Sequence, residues 1–196
     1  ALYRSKDQGG GAHNQYEPKL HVHAEERRVM EIALRKALEN EEFSLNYQPV
    51  VSADTGGVMG FEALLRWTNP DFGVVSPAKF IPLAEDARLI VPIGEWVMRT
   101  ACKEAMKWPS AIKVAVNVSA DQLTDPNFLD MVISALHVSN LPAQRLEIEV
   151  TESIFMREGT GAAQVLDQII GLGINLSLDD FGTGYSSLGY LSKTRF

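Results

Sequence analysis

The chain has 196 residues, with 18 lysines and arginines against 25 aspartates and glutamates, so its formal net charge is −7. Hydrophobic residues make up 45% of it, which is typical of a folded domain rather than a disordered segment. The acidic balance argues against binding nucleic acid through bulk charge, and the single cysteine, Cys102, excludes an internal disulfide or a thiolate zinc cluster. Without a signal peptide or an apolar run of roughly 18 residues, we expect a soluble, cytoplasmic segment, with any membrane anchor of the parent lying upstream.

The first 40 residues are predicted to precede the main domain. Residues 1–6, followed by a run of three glycines, are typical of the last turns of a helix that begins upstream. Residues 13–23 fit a short edge strand followed by a linker. A strong helical pattern then covers residues 24–40, with apolar residues every four positions from Met30 to Leu38. We expect this helix either to pack on the following domain or to connect two domains rigidly.

From residue 43 onward, short strands alternate with helices. We predict strands over 43–50, 58–67, 112–119, 145–151 and 174–180, and helices over 77–87, 92–108, 126–139 and 160–172. Alternation of this kind favours a parallel sheet with helical crossovers. Five strands fit either an open doubly wound sheet or a barrel without its last third, since eight-stranded barrels need about 250 residues. Polar side chains on one strand face and apolar side chains on the other favour the barrel.

Acidic and amide side chains gather where the predicted strands end. Glu62 lies within the second predicted strand, and five others lie at or near the ends of the later strands: Asn117, Glu149, Glu152, Asp179 and Asp180. The carboxyl ends of parallel strands meet at one rim, where active sites form. Carboxylates and one amide, without histidine or thiolate, are typical ligands of Mg²⁺, Mn²⁺ or Ca²⁺. A divalent ion would also relieve the mutual repulsion of the carboxylates.

Five short motifs follow one another along the chain. They are Tyr47-Gln48-Pro49-Val50, Glu62-Ala63-Leu64 continuing into Leu65-Arg66-Trp67, Asn117-Val118-Ser119, Glu149-Val150-Thr151-Glu152-Ser153, and Asp179-Asp180-Phe181-Gly182-Thr183-Gly184. In this order they resemble the signature motifs of EAL domains, the cyclic di-GMP phosphodiesterases. The resemblance runs from about residue 41 to residue 196. The first six residues and the glycine run also resemble the end of a GGDEF (diguanylate cyclase) domain.

The resemblance implies a fold and a reaction. The fold is an α/β modified TIM barrel whose first strand runs antiparallel to the rest. The reaction is hydrolysis of one phosphodiester bond of cyclic di-GMP to linear pGpG, with Mg²⁺ or Mn²⁺. By the same resemblance, Asp180 would help hold a second metal ion, and four other residues would ligate the first: Glu62, Asn117, Glu149 and Asp179.

The remaining roles also come from the resemblance. Glu152 would anchor the loop after Asp179, so the expected catalytic residues are Glu62, Asp179, Asp180 and Glu152. The nucleotide would be contacted by Gln48, Leu65 and Arg66, with the fork of Arg66 donors matched to a phosphate oxygen. The loop after Asp179 is where dimers of the family couple their active sites, so we expect a homodimer.

The expected organisation is the tail of a GGDEF-like domain over 1–18, a linker and connector helix over 19–40, and an EAL domain over 41–196. Both ends of the chain read as cuts in a longer protein. The family's later motifs, one of Lys-Ile-Asp type and further glutamates, would lie after Phe196, so we expect a C-terminally truncated barrel. We accordingly expect the parent protein to be a phosphodiesterase and this 196-residue piece to be inactive alone.

Three other functions stay open from the sequence. The first is a receptor that binds cyclic di-GMP without cleaving it, although the presence of all five expected metal ligands favours catalysis. The second is an unrelated divalent-metal barrel that acts on a phosphorylated sugar or keto acid. The third is a structural regulatory module in which the connector helix transmits signals and the barrel only dimerises.

Overall fold

The computed structural model describes residues 18–151 and 161–179 of the chain, with side chains from residue 25 onward. The helices in these ranges are α1 (Pro18–Lys36), α2 (Pro77–Asp86), α3 (Ile90–Ala105), α4 (Ala120–Leu123), α5 (Phe128–Ser139) and α6 (Ala162–Gly171). The strands are β1 (Phe43–Val51), β2 (Val58–Asn69), β3 (Gly73–Val75), β4 (Lys113–Val118), β5 (Leu146–Thr151) and β6 (Asn175–Asp179). A 3₁₀ turn at Ala143–Arg145 leads into β5.

The strands form one mixed sheet in the order β1-β2-β4-β5-β6, and β3 pairs with the carboxyl-terminal end of β2. Strand β2 runs antiparallel to β1 and β3, whereas the pairs β2–β4, β4–β5 and β5–β6 are parallel. The α/β fold and the antiparallel first strand expected from the sequence are therefore confirmed. The helical crossovers between parallel strands bring the carboxyl ends of β2, β4, β5 and β6 to the same edge.

Alternation along the strands gives the sheet one apolar and one polar face, as the sequence predicted. The helix-facing side chains are buried and apolar, among them Trp67, Val114, Val116, Leu146, Ile148 and Val150. Residues paired across strands point to the same side, and the pairs Glu62–Ala115, Asn117–Glu149 and Glu149–Ser177 belong to the opposite face. The candidate site residues therefore belong to the polar face of the sheet, near the carboxyl ends of its parallel strands.

Helix α3 covers the centre of the apolar face. Ile93, Val97 and Ala101 recur every four residues and are buried in the core. Cys102 lies beside them with no exposed surface, and this burial raises the pKa of its thiol to about 12. The cysteine therefore acts as a small core residue.

Helix α1 differs from the sequence prediction at its start. The helix covers Pro18–Lys36, so residues 18–23 are helical and the edge strand predicted for 13–23 is wrong over these residues. Proline suits the first turn of a helix because the amide hydrogen it lacks has no partner there. The apolar stripe packs on the domain, since Met30 and Leu34 are buried in its core, and Arg27 forms an ion pair with Asp86 of α2. The short elements β3 and α4 were not predicted.

A buried arginine ties the start of β4 to its surroundings. Arg145 Nε donates to the carbonyl of Ile112 at 2.9 Å, and its NH2 donates to the carbonyls of Ala105 at 2.7 Å and Pro109 at 3.3 Å. Only 9% of the Arg145 surface is exposed. One side chain thus links the end of α3, the following loop and the residue before β4, which helps to set the position of β4 in the sheet.

Glu42 joins the segment before β1 to the end of β2. Its carboxylate accepts hydrogen bonds from Trp67 Nε1 at 2.8 Å, from Asn69 Nδ2 at 2.9 Å and from Asn40 Nδ2 at 2.9 Å. Burial raises the pKa of Glu42, but the hydrogen bonds from Asn69, Trp67 and Asn40 outweigh it and hold the pKa below its ordinary value. The ionised carboxylate is therefore the form that the fold stabilises.

No helix among the described residues is long and apolar enough to cross a membrane. The cytoplasmic location expected from the sequence stays a prediction.

Substituting Glu42→Ala is expected to lower the free energy of unfolding by about 1–3 kcal/mol, because it leaves the buried donors of Trp67 and Asn69 without their partner. Because the folded-state pKa of Glu42 is lowered, its stabilising effect is present above the unfolded-state pKa and disappears as the pH falls through the folded-state value. Urea unfolding of the chain at several pH values measures both effects. The exposed Glu39→Ala is the control, and equal losses for the two variants would contradict this assignment.

Candidate functional site

Four predicted site residues lie on neighbouring parallel strands and on the same face of the sheet. Asn117 of β4 is directly opposite Glu149 of β5. Glu62 pairs with the residue two positions before Asn117, and Asp179 pairs with the residue two positions after Glu149. These diagonal neighbours are within reach of one another for side chains of this length. The four side chains therefore form an oblique row across β2, β4, β5 and β6.

A direct contact joins the first two members of this row. Asn117 Nδ2 donates a hydrogen bond to Glu62 Oε1 at 2.7 Å. Because the side-chain amide nitrogen of Asn117 donates to Glu62, its side-chain oxygen is the atom that can act as a ligand to a cation. The contact also sets the orientation of the Glu62 carboxylate relative to β4.

The acidic members of the row repel one another. Burial, followed by the negative charges of Glu62, Asp179 and Glu147, raises the pKa of Glu149 to about 7. Near neutral pH, Glu149 is therefore divided between its protonated and ionised forms when no cation is present. A divalent cation at this position would favour the ionised form and relieve the repulsion.

The donor set fits a hard divalent cation in its chemistry, since it consists of carboxylate and amide oxygens. Among the residues that the structure describes, no three histidine, cysteine, aspartate or glutamate side chains are arranged to hold a metal ion. These four residue types do not include asparagine, so the amide oxygen of Asn117 is a further oxygen atom available to a cation. The carboxylates would have to approach one another around a cation, and their mutual repulsion opposes this approach when the cation is absent.

Three members of the row line a cleft of about 570 Å³, a size typical of sites for small organic ligands. The polar residues of its lining include Asn117, Glu149, Thr151 and Asp179. The lining also includes apolar residues of α2 and α3, namely Pro77, Ile81, Ile90, Ile93 and Val97. A cleft that combines acidic oxygens with apolar surface suits a ligand with both a polar backbone and flat rings.

Two of the three predicted nucleotide contacts line this cleft. Arg66 is half-buried, and its NH1 donates to the carbonyl of Leu65 at 2.9 Å. The Leu65 side chain belongs to the opposite sheet face from Glu62 and packs against the core, but it also contributes to the cleft wall. The third predicted contact, Gln48, is exposed and lies opposite Glu62 across β1 and β2.

Two predicted site residues, Glu152 and Asp180, lie outside the described residues, as does the loop through which we expect dimerisation. The structure adds Thr151 to the cleft wall and Glu147 to the polar face, where Glu147 Oε2 is 3.8 Å from Lys113 Nζ. The alternation of Glu147, Glu149 and Thr151 along β5 was a signal that could have identified both additions.

The family model described as the EAL domain matches residues 31–196. The bifunctional diguanylate cyclase/cyclic di-GMP phosphodiesterase MucR of Pseudomonas aeruginosa is 42% identical over 197 residues, covering 98% of this chain and 29% of that protein. The cyclic di-GMP phosphodiesterase PdeR of Escherichia coli is 37% identical over 196 residues, covering 98% of this chain and 30% of that protein. The chain thus spans under a third of the length of these relatives.

A solved structure of the PaMucR phosphodiesterase in complex with c-di-GMP superposes on this fold with a TM-score of 0.77 and 44% sequence identity. The match covers 82% of this chain and 66% of that one.

The repulsion at Glu149 predicts how its neutral variant behaves. Because the folded-state pKa is raised, ionisation of Glu149 destabilises the metal-free fold as the pH rises from about 4.5 to about 7. Glu149→Gln is expected to raise stability at pH 8 by about 1 kcal/mol after discounting for solvent screening, or roughly 2–4 °C in Tm, with little change at pH 4.

Thermal unfolding in the presence of a chelator measures this difference. Asp54→Asn removes the same charge from an exposed turn and serves as the matched control. A destabilised Glu149→Gln variant at pH 8, or one indistinguishable from Asp54→Asn, would show that ionisation of Glu149 does not destabilise the metal-free fold.

Proposed function

The chain belongs to the EAL domain family, and from this premise we propose that it carries the catalytic centre of a cyclic di-GMP phosphodiesterase that opens one phosphodiester bond to give linear pGpG. The proposal rests on the row of Glu62, Asn117, Glu149 and Asp179 on four neighbouring strands. The last three of these residues line one cleft, and Glu62 accepts a hydrogen bond from Asn117 beside it. The printed names of the relatives, which include cyclic di-GMP phosphodiesterases, agree with it.

EAL phosphodiesterases generally depend on a divalent metal, and we propose Mg²⁺ or Mn²⁺ for this chain. The proposed ligands are the oxygen atoms of Glu62, Asn117, Glu149 and Asp179, and Asp180 would contribute to a second ion. A bound divalent cation supplies activation of water and neutralisation of phosphate charge. Without it, the acidic row would repel the two phosphates of the substrate.

The chain's own residues would then orient the substrate. Arg66 lies at the cleft with its guanidinium half-buried, where its planar fork suits two oxygens of one phosphate. Gln48 and Leu65 would contact the nucleotide on either side of β2. Glu152 would hold the loop that follows Asp179.

We also propose a domain organisation on the basis of the family resemblance. Residues 1–18 would be the tail of a GGDEF-like domain, residues 19–40 a connector, and residues 41–196 the EAL domain. The bifunctional name of MucR supports a cyclase domain next to a phosphodiesterase domain. Homodimerisation would use the loop after Asp179.

A receptor that binds cyclic di-GMP without cleaving it is less well supported, because all five expected ligand positions are present in this chain.

The proposal is tested on the full-length protein by following conversion of cyclic di-GMP to pGpG by chromatography. We expect turnover with Mg²⁺ or Mn²⁺, none with a chelator, and recovery when the ion is restored. Glu62→Gln keeps the size of the side chain and an acceptor for Asn117 but removes the charge, and it is expected to lower kcat by about 100-fold or more.

Asp54→Asn, which removes a charge far from the cleft, should retain the original rate. Binding of cyclic di-GMP without product at any metal concentration would instead support the receptor.

A second test concerns phosphate recognition. Arg66→Lys keeps the positive charge but loses the planar fork, so KM for cyclic di-GMP is expected to rise by about tenfold while kcat changes less. Arg99→Lys is the matched control, since Arg99 pairs with Glu95 on the surface of α3. An unchanged KM in Arg66→Lys would exclude a bidentate phosphate contact.

A further inference from the structure

A glycine in the middle of α3 lies against the side chain of Gln122 in α4. An added Cβ at Gly94 would be 1.9 Å from Gln122 Nε2 and 2.7 Å from Gln122 Cδ, far inside any real contact distance. Glycine inside a helix lowers stability relative to alanine. The close approach of Gln122 provides the reason for glycine at this position.

The other end of the Gln122 amide holds the turn after β4. Gln122 Oε1 accepts a hydrogen bond from the backbone nitrogen of Ser119 at 3.1 Å, and Ser119 Oγ accepts one from the backbone nitrogen of Gln122 at 3.4 Å. This reciprocal pair is a capping box, and Gln122 is only 4% exposed. The side chain is therefore fixed between the backbone of α3 and the first residue after β4.

The turn that Gln122 holds lies next to the acidic row. Ser119 is two residues after Asn117, and the intervening Val118 is buried in the core. Asn117, Ser119, Gln122 and Gly94 all line the same cleft. A shift of the Ser119 backbone would therefore displace Asn117 and change its hydrogen bond to Glu62.

We propose that Gln122, seated on Gly94, is a positioning residue for the reaction: it fixes the backbone after β4 and so holds Asn117 in place for the cation and Glu62. The inference rests on the proposed phosphodiesterase function. Groups that orient a ligand without touching the metal change metal affinity or activity by about 10–100-fold when they are removed.

Space is available for a displaced Gln122 side chain, so Gly94 can be substituted without unfolding the protein. The atoms that an alanine at position 94 would meet are the far end of a flexible side chain. A second cavity of about 130 Å³, lined by Val91, Glu95 and Asp125 among others, lies beside Gln122. We expect Gly94→Ala to displace the side-chain amide of Gln122 and to break its hydrogen bond with the Ser119 backbone nitrogen, while the core stays packed.

The experiment uses the full-length protein in five forms: the unmodified protein, Gly94→Ala, Gln122→Ala, the double variant and the control Gly171→Ala. Gly171 lies in α6, where an added Cβ would meet nothing within 4 Å. We expect each of the first two variants to lower kcat/KM for cyclic di-GMP by about tenfold and to raise the Mg²⁺ concentration needed for half-maximal rate. The double variant should be no worse than Gln122→Ala alone, because both changes remove the same bond.

A second readout does not depend on activity. Hydrogen exchange followed by mass spectrometry should show at least tenfold faster exchange of the Ser119 amide in Gly94→Ala and Gln122→Ala, with the rest of β4 as protected as before. Gly171→Ala should leave that amide unchanged.

The results separate this inference from the function on which it rests. If the unmodified protein does not cleave cyclic di-GMP, the proposed function fails. Hydrogen exchange of the Ser119 amide then still tests whether the contact between Gln122 and Gly94 holds the turn after β4. The inference is overturned if Gly94→Ala behaves like Gly171→Ala in exchange and kinetics, if the effects of the two single changes add in the double variant, or if Ser119 loosens with no change in Mg²⁺ dependence.

Discussion

The site depends on electrostatic repulsion between carboxylates that share one face of the sheet. Parallel pairing places Glu62, Glu149 and Asp179 on the same face of β2, β5 and β6, and β4 lies between the first two of these strands. Burial, followed by the negative charges of Glu62, Asp179 and Glu147, raises the pKa of Glu149. A divalent cation bound at the row, as proposed, would relieve this repulsion, so the charges that destabilise the metal-free fold would favour binding of the ion.

The rest of the fold offsets this repulsion. The opposite face of the same strands is apolar and buried under helices, so each strand is held by packing that does not depend on the acidic row. Arg145 ties the start of β4 to α3 through three carbonyls, and Glu42 ties β2 to the segment before β1. The contact of Gln122 with Gly94 holds the other end of β4. Strand β4, which carries Asn117, is therefore fixed at both ends.

Much of this arrangement could be predicted from the sequence. The period-two alternation in β4, β5 and β6 identified the polar and apolar faces, because side chains in a strand alternate strictly. The motifs around Glu62 and Asn117 placed both residues on strands that prove to be neighbours. The predicted start of α1 was wrong, since residues 13–23 are polar and contain Pro18, which fitted an edge strand and a linker, whereas the helix already includes Pro18. The seating of Gln122 on Gly94 could not be predicted, because it joins two helices whose approach is set by tertiary packing.

We propose that oxygens from four strands share one divalent cation. Anomalous diffraction from crystals of the full-length protein grown with Mn²⁺ would locate that cation. We expect a manganese peak within about 2.5 Å of side-chain oxygens of Glu62, Asn117, Glu149 and Asp179. Manganese bound elsewhere, or carboxylates that remain apart at saturating Mn²⁺, would contradict it.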